Sequence, residues 1–395
     1  GSSTFTVKNL GDEAMLLNMI QCLKKQSPKT KITLLCRHPS KKIEKLYGIK
    51  SVKNFEFDRK KDSVGKFFLG FNSQKKAKNL YQIKREFEGA DAIFLGGNIL
   101  MEIRENSFLR GVASHTILLV QFARLFGLKV YMFGINVVTD IKSKLMMDYV
   151  NFLSNLTEKV LVREKSAKDY LVKANFNPKK IHIGSDPAFG ISFKHDDNIV
   201  KKICPKLLKK KKFIGVCIRT EYWKFKNIKE FYLKHAKILS FIAGYTQSTL
   251  VFIPNCFYNE SHPLQDDRVI HRQIIKRLNS DVDYILLNKE QNIFENLNLI
   301  SKVDFHITNR RHSFIFAALN NITGAIYDIK FKGHLKPLVK ELNIEECLIN
   351  FDADTNSIIK KIKFLYDNKT KIVHKTKKKI KILTKNARDN INYFK

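Results

Sequence analysis

The sequence lacks a long apolar run and paired cysteines, and each deficit excludes a class of protein. No stretch of about 18 apolar residues occurs, so we expect no membrane span. No secretory signal peptide is recognisable. The six cysteines, at positions 22, 36, 204, 217, 256 and 347, include no Cys-x-x-Cys pair. We therefore expect buried, reduced thiols in a cytoplasmic protein rather than a disulfide framework.

Acidic residues are also scarce. The chain has 37 Asp and Glu against 72 Lys and Arg, which gives a formal net charge of +35. Such an excess attracts polyanions such as nucleic acid, anionic lipid headgroups or phosphorylated substrates. No nucleic-acid-binding signature accompanies the charge, so we expect no nucleic acid partner. An anionic membrane surface and an anionic substrate are both left open.

Motifs for common cofactors and metals are missing. There is no G-x-G-x-x-G or Walker pattern to support a nicotinamide or ATP site. Asp266 and Asp267 are adjacent, but they have neither the D-x-D nor the H-x-x-x-H spacing of metal ligands. No Ser-His-Asp order is recognisable. We expect no metal and no cofactor.

The sequence does contain an alternation of strand and helix signals. Short apolar runs predict strands at 31–37, 90–97, 128–137, 159–164, 213–220, 249–255, 283–288, 303–308 and 324–329. Helical spacing predicts helices at 111–127, 166–175 (capped by Ser166), 228–245 and 313–321. This alternation of strands and helices predicts parallel sheets covered by helices.

The length of 395 residues exceeds one ordinary core. The alternation is interrupted by a charged stretch at 193–212, which we interpret as the connection between two domains. We predict an α/β protein with two Rossmann-like domains, 1–195 and 196–365, facing each other across a cleft. Residues 366–395 predict a basic amphipathic helix, which either packs as a solvated terminal helix or lies on a membrane surface. The chain begins Gly-Ser-Ser, and we expect natural residues to precede it.

In open α/β sheets, ligands bind beyond the carboxyl ends of the strands, so polar residues there are candidates. Asp12 and Glu13 precede an apolar helix in "KNLGDEAML". They either cap that helix or face the cleft and handle substrate hydroxyls. Gly96 and Gly97 in "FLGGN" either form a tight turn or let the backbone approach a ligand.

Several basic residues also follow predicted strands. Arg163 either presents its planar guanidinium to a phosphate or carboxylate, or forms a surface salt bridge with Glu164. Lys330 and Lys332 follow a later strand in "YDIKFKG" and would add positive charge to the same kind of site.

The stretch "ITNRRHSFIFAALNN" (307–321) places Arg310, Arg311 and His312 between a strand and a helix. A helix start favours anions through its free N–H groups, and the arginines add to that preference. Histidine titrates near neutral pH, so His312 is a candidate proton carrier, although a lone histidine is often structural.

An ordered set of motifs runs along residues 8 to 350. The set consists of N-x-G-D-E at 9–13, the Gly pair at 96–97, "FARLFGLKVYMFGINV" at 122–137, V-R-x-x-S at 162–166, D-P-A-F at 186–189, R-x-H-S-x-x-F-A at 310–317 and Y-D-x-K at 327–330. In this order the motifs resemble those of the polysaccharide pyruvyl transferase family. The resemblance implies a GT-B type fold. It also implies transfer of a pyruvyl group from phosphoenolpyruvate to a sugar, which forms a ketal on a cell-surface polysaccharide or its lipid-linked precursor and releases phosphate.

The same resemblance assigns roles to individual residues. It implies donor binding by Arg163, Arg310 and Lys330, with Lys332 as a rival for Lys330 because the segment before it is about two residues shorter than in the family. Gly96 and Gly97 would line the donor site. The family motif requires no arginine at position 311, so we assign Arg311 to the solvated surface. We hypothesise that His312 is the general acid, and that Asp12 or Glu13 orients or deprotonates the acceptor.

Two alternatives remain at this point. A GT-B glycosyltransferase with a nucleotide-sugar donor would share the fold, and the basic residues would hold its diphosphate. A non-catalytic protein that binds anionic glycan or lipid is the other, and His312 beside two arginines argues against it.

The basic surface and tail suit a peripheral enzyme at the inner face of the cytoplasmic membrane, with a lipid-linked oligosaccharide acceptor.

Overall fold

The computed structural model describes residues 8–55, 74–97, 99–100, 112–137, 143–220, 227–258, 265–329 and 335–394, except the side chains of 74–79 and 112. The chain divides into two compact units. Unit 1 contains Asp12–Ile191 and Lys385–Lys395, and unit 2 contains Lys8–Gly11 and Ser192–Thr384. A short N-terminal segment therefore belongs with the second half of the chain, and the C-terminus belongs with the first.

Unit 1 is an alternation of parallel strands and helices. Its strands are β1 (Thr33–Cys36), β2 (Lys50–Lys53), β3 (Ala92–Gly96), β4 (Lys129–Ile135), β5 (Lys159–Val162) and β6 (Ile181–Ile183). Its helices are α1 (Leu10–Gln26), α2 (Lys41–Tyr47), α3 (Gln74–Glu88), α4 (Val112–Leu125), α5 (Lys144–Leu156) and α6 (Lys165–Lys173). Strands β3-β4-β5-β6 form one parallel sheet, and β1 pairs with β2.

Unit 2 repeats this plan with a larger sheet. Its strands are β7 (Phe213–Cys217), β8 (Thr249–Phe252), β9 (Tyr284–Leu286), β10 (Phe305–Thr308), β11 (Gly324–Asp328) and β12 (Leu348–Asn350). Its helices are α7 (Asp197–Ile203), α8 (Ile228–Thr246), α9 (Asp267–Ile275), α10 (Ile293–Ile300), α11 (Arg311–Leu319), α12 (Lys336–Leu342), α13 (Thr355–Asp367) and α14 (Lys369–Asp389). The sheet is parallel, in the order β12-β11-β10-β7-β8-β9.

The centre of the second sheet is buried on both faces. Every residue of β7, β10 and β11 is buried, as expected for parallel strands covered by helices. The strands approach closely at Gly324, where a Cβ would lie 1.7 Å from the carbonyl oxygen of His306. His306 Nε2 lies 2.8 Å from Ser313 Oγ, so β10 is tied to α11. Burial lowers the pKa of His306 to about 3, and the ring is therefore neutral at physiological pH.

The structure confirms each strand predicted from an apolar run and corrects two local predictions. The charged connection at 193–212 contains a helix, α7. Ser166 does not cap α6, because that helix already begins at Lys165 with Glu164 as its N-cap residue. The Ser166 hydroxyl instead donates to Glu164 Oε2 at 3.3 Å. The short strands β2, β6 and β12 had no recognisable signal in the sequence.

The basic C-terminal segment forms an amphipathic helix. Helix α14 buries Ile372, Thr376, Ile380, Leu383 and Ala387, which recur every three or four residues, and exposes lysines between them. Nowhere in the described residues is there a helix long and apolar enough to cross a membrane.

The residues after α14 complete the core of unit 1. A short 3-10 turn, Asn390–Phe394, follows the helix. The ring of Phe394 lies 5.3 Å from those of Phe94 and Tyr131 and 5.9 Å from that of Phe133, measured between centroids. An aromatic side chain from the end of the chain thus packs on strands β3 and β4.

Replacing Phe394 tests this packing. Phe394→Ala removes a side chain that is 9% exposed, so we expect unit 1 to lose about 3–5 kcal/mol of stability and to unfold at a lower temperature. Calorimetry on the full chain is the measurement. Tyr81→Ala, at a position 64% exposed in the same unit, is the control and should leave the transition unchanged. Equal unfolding temperatures for the two variants would show that Phe394 does not stabilise unit 1.

Candidate functional site

The strand order of unit 2 defines a natural ligand site. The chain proceeds outward from β7 through β8 to β9 on one side, and from β10 through β11 to β12 on the other. The reversal lies between the neighbours β7 and β10, and ligands of such sheets bind at the carboxyl edge of that point. Arg219 follows β7 and Arg310 follows β10, each by two residues.

An amide joins the two loops that carry these arginines. Asn309 Oδ1 accepts from the backbone N–H of Arg219 at 2.8 Å, and Asn309 Nδ2 donates to the Arg219 carbonyl oxygen at 2.8 Å. Since the bonds are reciprocal, Asn309 fixes the spacing between the loops. Arg310 itself is the N-cap residue of α11.

A buried carboxylate holds the guanidinium of Arg310. Asp267, in the first turn of α9, is 0% exposed and accepts from Arg310 Nε at 3.0 Å and from a second guanidinium nitrogen. Its other oxygen accepts from the backbone N–H groups of Asn255 and Cys256 at 2.9 and 3.0 Å. Burial acts to lower the pKa of Arg310, but the Asp267 charge outweighs it and raises that pKa above the ordinary value.

Arg219 stands in a different electrostatic environment. Burial, and next the positive charge of Arg310, lower the pKa of Arg219 to about 10. Arg219 is therefore still charged at neutral pH, but its environment opposes that charge. Negative charge placed beside the two guanidinium groups would be stabilised by both.

The N-terminal segment of unit 2 packs into this edge of the sheet. The N–H of Leu10 donates to the carbonyl oxygen of Asn255 at 3.0 Å, and the N–H of Phe257 donates to that of Lys8 at 3.0 Å. The Asn9 side chain accepts from the N–H of Gly11 at 3.1 Å. The first motif of the sequence is thereby attached to the loop after β8.

His312 lies directly against Gly11. A Cβ built on Gly11 would be 2.1 Å from His312 Nδ1, 2.5 Å from its Cγ and 2.9 Å from its Cβ. The imidazole thus occupies the space that any other residue at position 11 would need. The structure brings residues 9–11, Arg310 and His312 together at one end of unit 2, and no pattern in the sequence indicates the contact between Gly11 and His312.

Asp12 and Glu13 continue the same segment as the first turn of α1, where acidic side chains favour a helix start. Asp12 is 3% exposed. Glu13 Oε2 accepts from the hydroxyl of Tyr47 at 3.1 Å. Burial, together with this carboxylate, raises the pKa of Tyr47. Tyr47 is a neighbour of the predicted acids that no motif indicated.

Arg163 is a buried residue rather than a surface one. It is 5% exposed, and its Nη1 lies 3.1 Å from Asp186 Oδ2 and 3.5 Å from Met15 Sδ. The predicted alternative of a surface salt bridge with Glu164 is therefore wrong. Arg163 instead pairs two of the sequence motifs, because Asp186 belongs to the D-P-A-F turn, where its Oδ1 also accepts from the N–H of Ala188 at 3.1 Å. The Arg163 Nε–H is buried and has no hydrogen-bond partner in the described part of the chain.

The remaining predicted residues are less defined. Gly96 ends β3 in unit 1, and Gly97 has φ of 81°, a conformation that favours glycine. Lys330 and Lys332 lie outside the described residues, so the choice between them stays a prediction. Arg311 is half-buried, so the prediction that it lies on the solvated surface is wrong.

Sequence reasoning missed Arg219, Asn309 and Asp267. The apolar run at 213–220 places Arg219 inside a predicted strand, and the adjacent acids at 266–267 present Asp267 only as a candidate metal ligand. Their importance follows from strand order, which adjacency in the sequence does not reveal.

Structural comparison shows the fold type. The chain is similar to Neisseria meningitidis UDP-GlcNAc 2-epimerase bound to UDP-GlcNAc, with a TM-score of 0.61 and 11% identity over 97% of this chain and 96% of that one. It is also similar to Anabaena HepE in complex with UDP-glucose (TM-score 0.59, 11% identity, 96% and 93% covered). S. aureus MnaA with UDP gives a TM-score of 0.58, with 13% identity and 97% and 91% covered. The fold of this chain is of the GT-B type, with two Rossmann-like domains.

Sequence comparison shows the family. No curated protein sequence matches the chain. The sequence model of the polysaccharide pyruvyl transferases matches residues 9–328, from the segment before Gly11 to the end of β11. That range covers most of the chain and includes Arg163, Arg310 and His312. The protein is therefore an enzyme that belongs to the polysaccharide pyruvyl transferase family.

Proposed function

We propose that the protein transfers a pyruvyl group from phosphoenolpyruvate to a sugar of a cell-surface polysaccharide or of its lipid-linked precursor. The products would be a cyclic pyruvate ketal and phosphate. The observation that carries the proposal is the group formed by Arg219, Arg310 and His312 at the strand-order reversal of unit 2. Family membership supplies the reaction class, and the chemistry of this group favours the donor.

The donor carries the kind of charge that the site would stabilise. Phosphoenolpyruvate has a phosphate of about −1.5 to −2 charge and a carboxylate beside it. Guanidinium groups bind such oxygens through paired N–H donors. Arg310 is held in a fixed orientation by Asp267, and the environment of Arg219 opposes its own charge. An anion bound beside Arg219 would offset the cost of keeping its guanidinium charged in that environment.

The family resemblance assigns donor contacts to further residues. Lys330 or Lys332 would add a further cation after β11. Arg163 has a buried Nε–H available for an acceptor atom, while its pairing with Asp186 fixes the side chain. Gly96 and Gly97 would allow the backbone to approach the ligand. In this scheme the cations that balance the donor charge are side chains.

The reaction needs one proton delivered and one phosphate released. His312 would protonate the methylene carbon of the donor, which leaves an oxocarbenium-like centre at the carbon that carries the phosphate. A sugar hydroxyl attacks that centre and loses its proton, with Asp12 or Glu13 as the acceptor of the proton or as the group that orients the hydroxyl. A second hydroxyl then displaces phosphate at the same carbon and closes the ketal ring. The arginines would stabilise the phosphate as it leaves.

A second candidate is a GT-B glycosyltransferase with a nucleotide-sugar donor. It is favoured by the structural similarity to proteins bound to UDP-glucose and UDP-GlcNAc, although an identity of 11% shows fold alone. Two arginines at a helix start would hold a diphosphate as well as a phosphate. Thermal shifts with phosphoenolpyruvate and with UDP-glucose separate the candidates, since each predicts stabilisation by its own donor.

The role of His312 is tested by phosphate release. The protein is incubated with phosphoenolpyruvate and a panel of glycans, and we expect His312→Gln to lower turnover by about 10²–10⁴-fold, the range for a lost general acid. Stabilisation by phosphoenolpyruvate should persist. His374→Gln, at an exposed histidine of α14, is the matched control and should keep full activity. If His312→Gln kept a turnover near that of the wild type, His312 would not be the general acid.

Gly11→Ala tests the contact between the first motif and His312. The added methyl group would collide with the imidazole, so the ring must move, and a displacement of about 1 Å costs about 10²-fold in rate. We expect a loss of that size in kcat with little loss of thermal stability. Gly244→Ala, where a Cβ meets no atom within 4 Å, is the matched control. If both variants were fully active, the position of His312 would not depend on Gly11.

Arg219→Gln tests the donor contact that the sequence did not indicate. Hydrogen bonds to charged groups contribute about 1.5–3 kcal/mol, so we expect the Kd for phosphoenolpyruvate to rise about 10- to 100-fold. Titration calorimetry measures this directly. Arg124→Gln replaces an exposed arginine paired with Glu158 and should bind donor normally. An unchanged Kd in Arg219→Gln would place the donor elsewhere.

A further inference from the structure

Helix α8 presents a line of apolar side chains to solvent. Leu233, Phe241 and Tyr245 are 58%, 45% and 41% exposed. They are spaced by multiples of four, which places them on one face of the helix, and the exposed Lys237 lies between them. The opposite face already packs in the core of unit 2 through residues such as Phe231 and Leu239. The exposed line is therefore not required by the fold.

Helix α13 contacts α8 at Tyr245, and it carries an exposed aromatic ring of its own. The Tyr245 hydroxyl donates to both carboxylate oxygens of Asp367 at 3.0 Å, and Lys363 Nζ lies 4.4 Å from the centroid of the Tyr245 ring. Phe364, next to Lys363, is 56% exposed. We call the exposed apolar residues of these two contacting helices, Leu233, Phe241, Tyr245 and Phe364, the aromatic ridge.

The charge around the aromatic ridge is mainly positive, with Glu230 as an exposed acid one turn before Leu233. Lys237, Lys360 and Lys363 are all exposed. The single acid within α13 is Asp367, which is engaged by Tyr245. Helix α14 begins at Lys369, directly after this surface in sequence, and its 21 residues include many lysines but one acid, Asp389.

Exposed aromatic rings surrounded by lysine suit one partner best. Phenyl and phenol rings enter the boundary between headgroups and acyl chains, while lysines extend to the phosphates. A second copy of this chain would bring like charges together, which opposes self-association. We propose that the aromatic ridge docks the protein on an anionic lipid bilayer. This proposal stands independently of the donor chemistry, and it would place the enzyme where a lipid-linked acceptor resides.

The test is binding of the 395-residue protein to lipid vesicles by co-sedimentation. We expect binding to phosphatidylcholine vesicles that contain phosphatidylglycerol, and much weaker binding to phosphatidylcholine alone. Each lysine near an anionic surface contributes about fivefold in affinity, so K237Q/K360Q/K363Q should lower binding at least tenfold. F241S/F364S should also lower it about tenfold or more, because the rings no longer insert. Leu125→Ser, at a position 82% exposed in unit 1, is the control and should bind normally.

Several results would overturn the proposal. Equal binding to charged and neutral vesicles would show that attraction between the lysines and anionic headgroups does not drive binding. Normal binding by F241S/F364S together with loss in K378Q/K379Q/K381Q would assign membrane binding to α14 instead. A dimer in analytical ultracentrifugation that F241S/F364S dissociates would identify a second copy as the occupant. Because the substituted residues are exposed, unchanged thermal unfolding and unchanged phosphate release with a water-soluble acceptor show that each variant is folded.

Discussion

The buried carboxylate of Asp267 is the interaction on which the site in unit 2 depends. It accepts two backbone N–H groups from the loop after β8 and two donors from Arg310. The carbonyl oxygen of Asn255 in that same loop holds Leu10, and the next residue, Gly11, contacts His312. One carboxylate therefore fixes the arginine directly and the histidine indirectly. A buried charge with four donors is stable, whereas the same carboxylate without Arg310 would be costly.

Much of the fold was predictable from local patterns. Strands such as β7 and β10 are continuous apolar runs because both of their faces are buried, and this signal is contained in a few adjacent residues. The edge strand β9 is more exposed, and it was recognised from its short apolar run. Strand order is a different matter. It depends on which strands pair at long range, and the residues of β7 do not indicate that β10 is its neighbour.

The candidate site was predictable only in part for the same reason. Arg310 and His312 lie at a strand-to-helix junction, so their position in sequence already suggested an anion site. Arg219 became a candidate only when the sheet placed it beside Arg310. The buried pair of Arg163 with Asp186, and the contact between Gly11 and His312, join residues that are far apart in the chain. No periodicity encodes such contacts.

The division of the two units has a consequence for synthesis on the ribosome. Unit 1 packs Phe394 on its sheet, so its core is incomplete until a segment that follows unit 2 in the sequence has been translated. Unit 2 requires residues 8–11, which are translated before the bulk of unit 1 and must wait for the loop after β8. Domains of most proteins fold one after another as the chain emerges. Here neither unit is contiguous, so neither can be completed before part of the other has been translated.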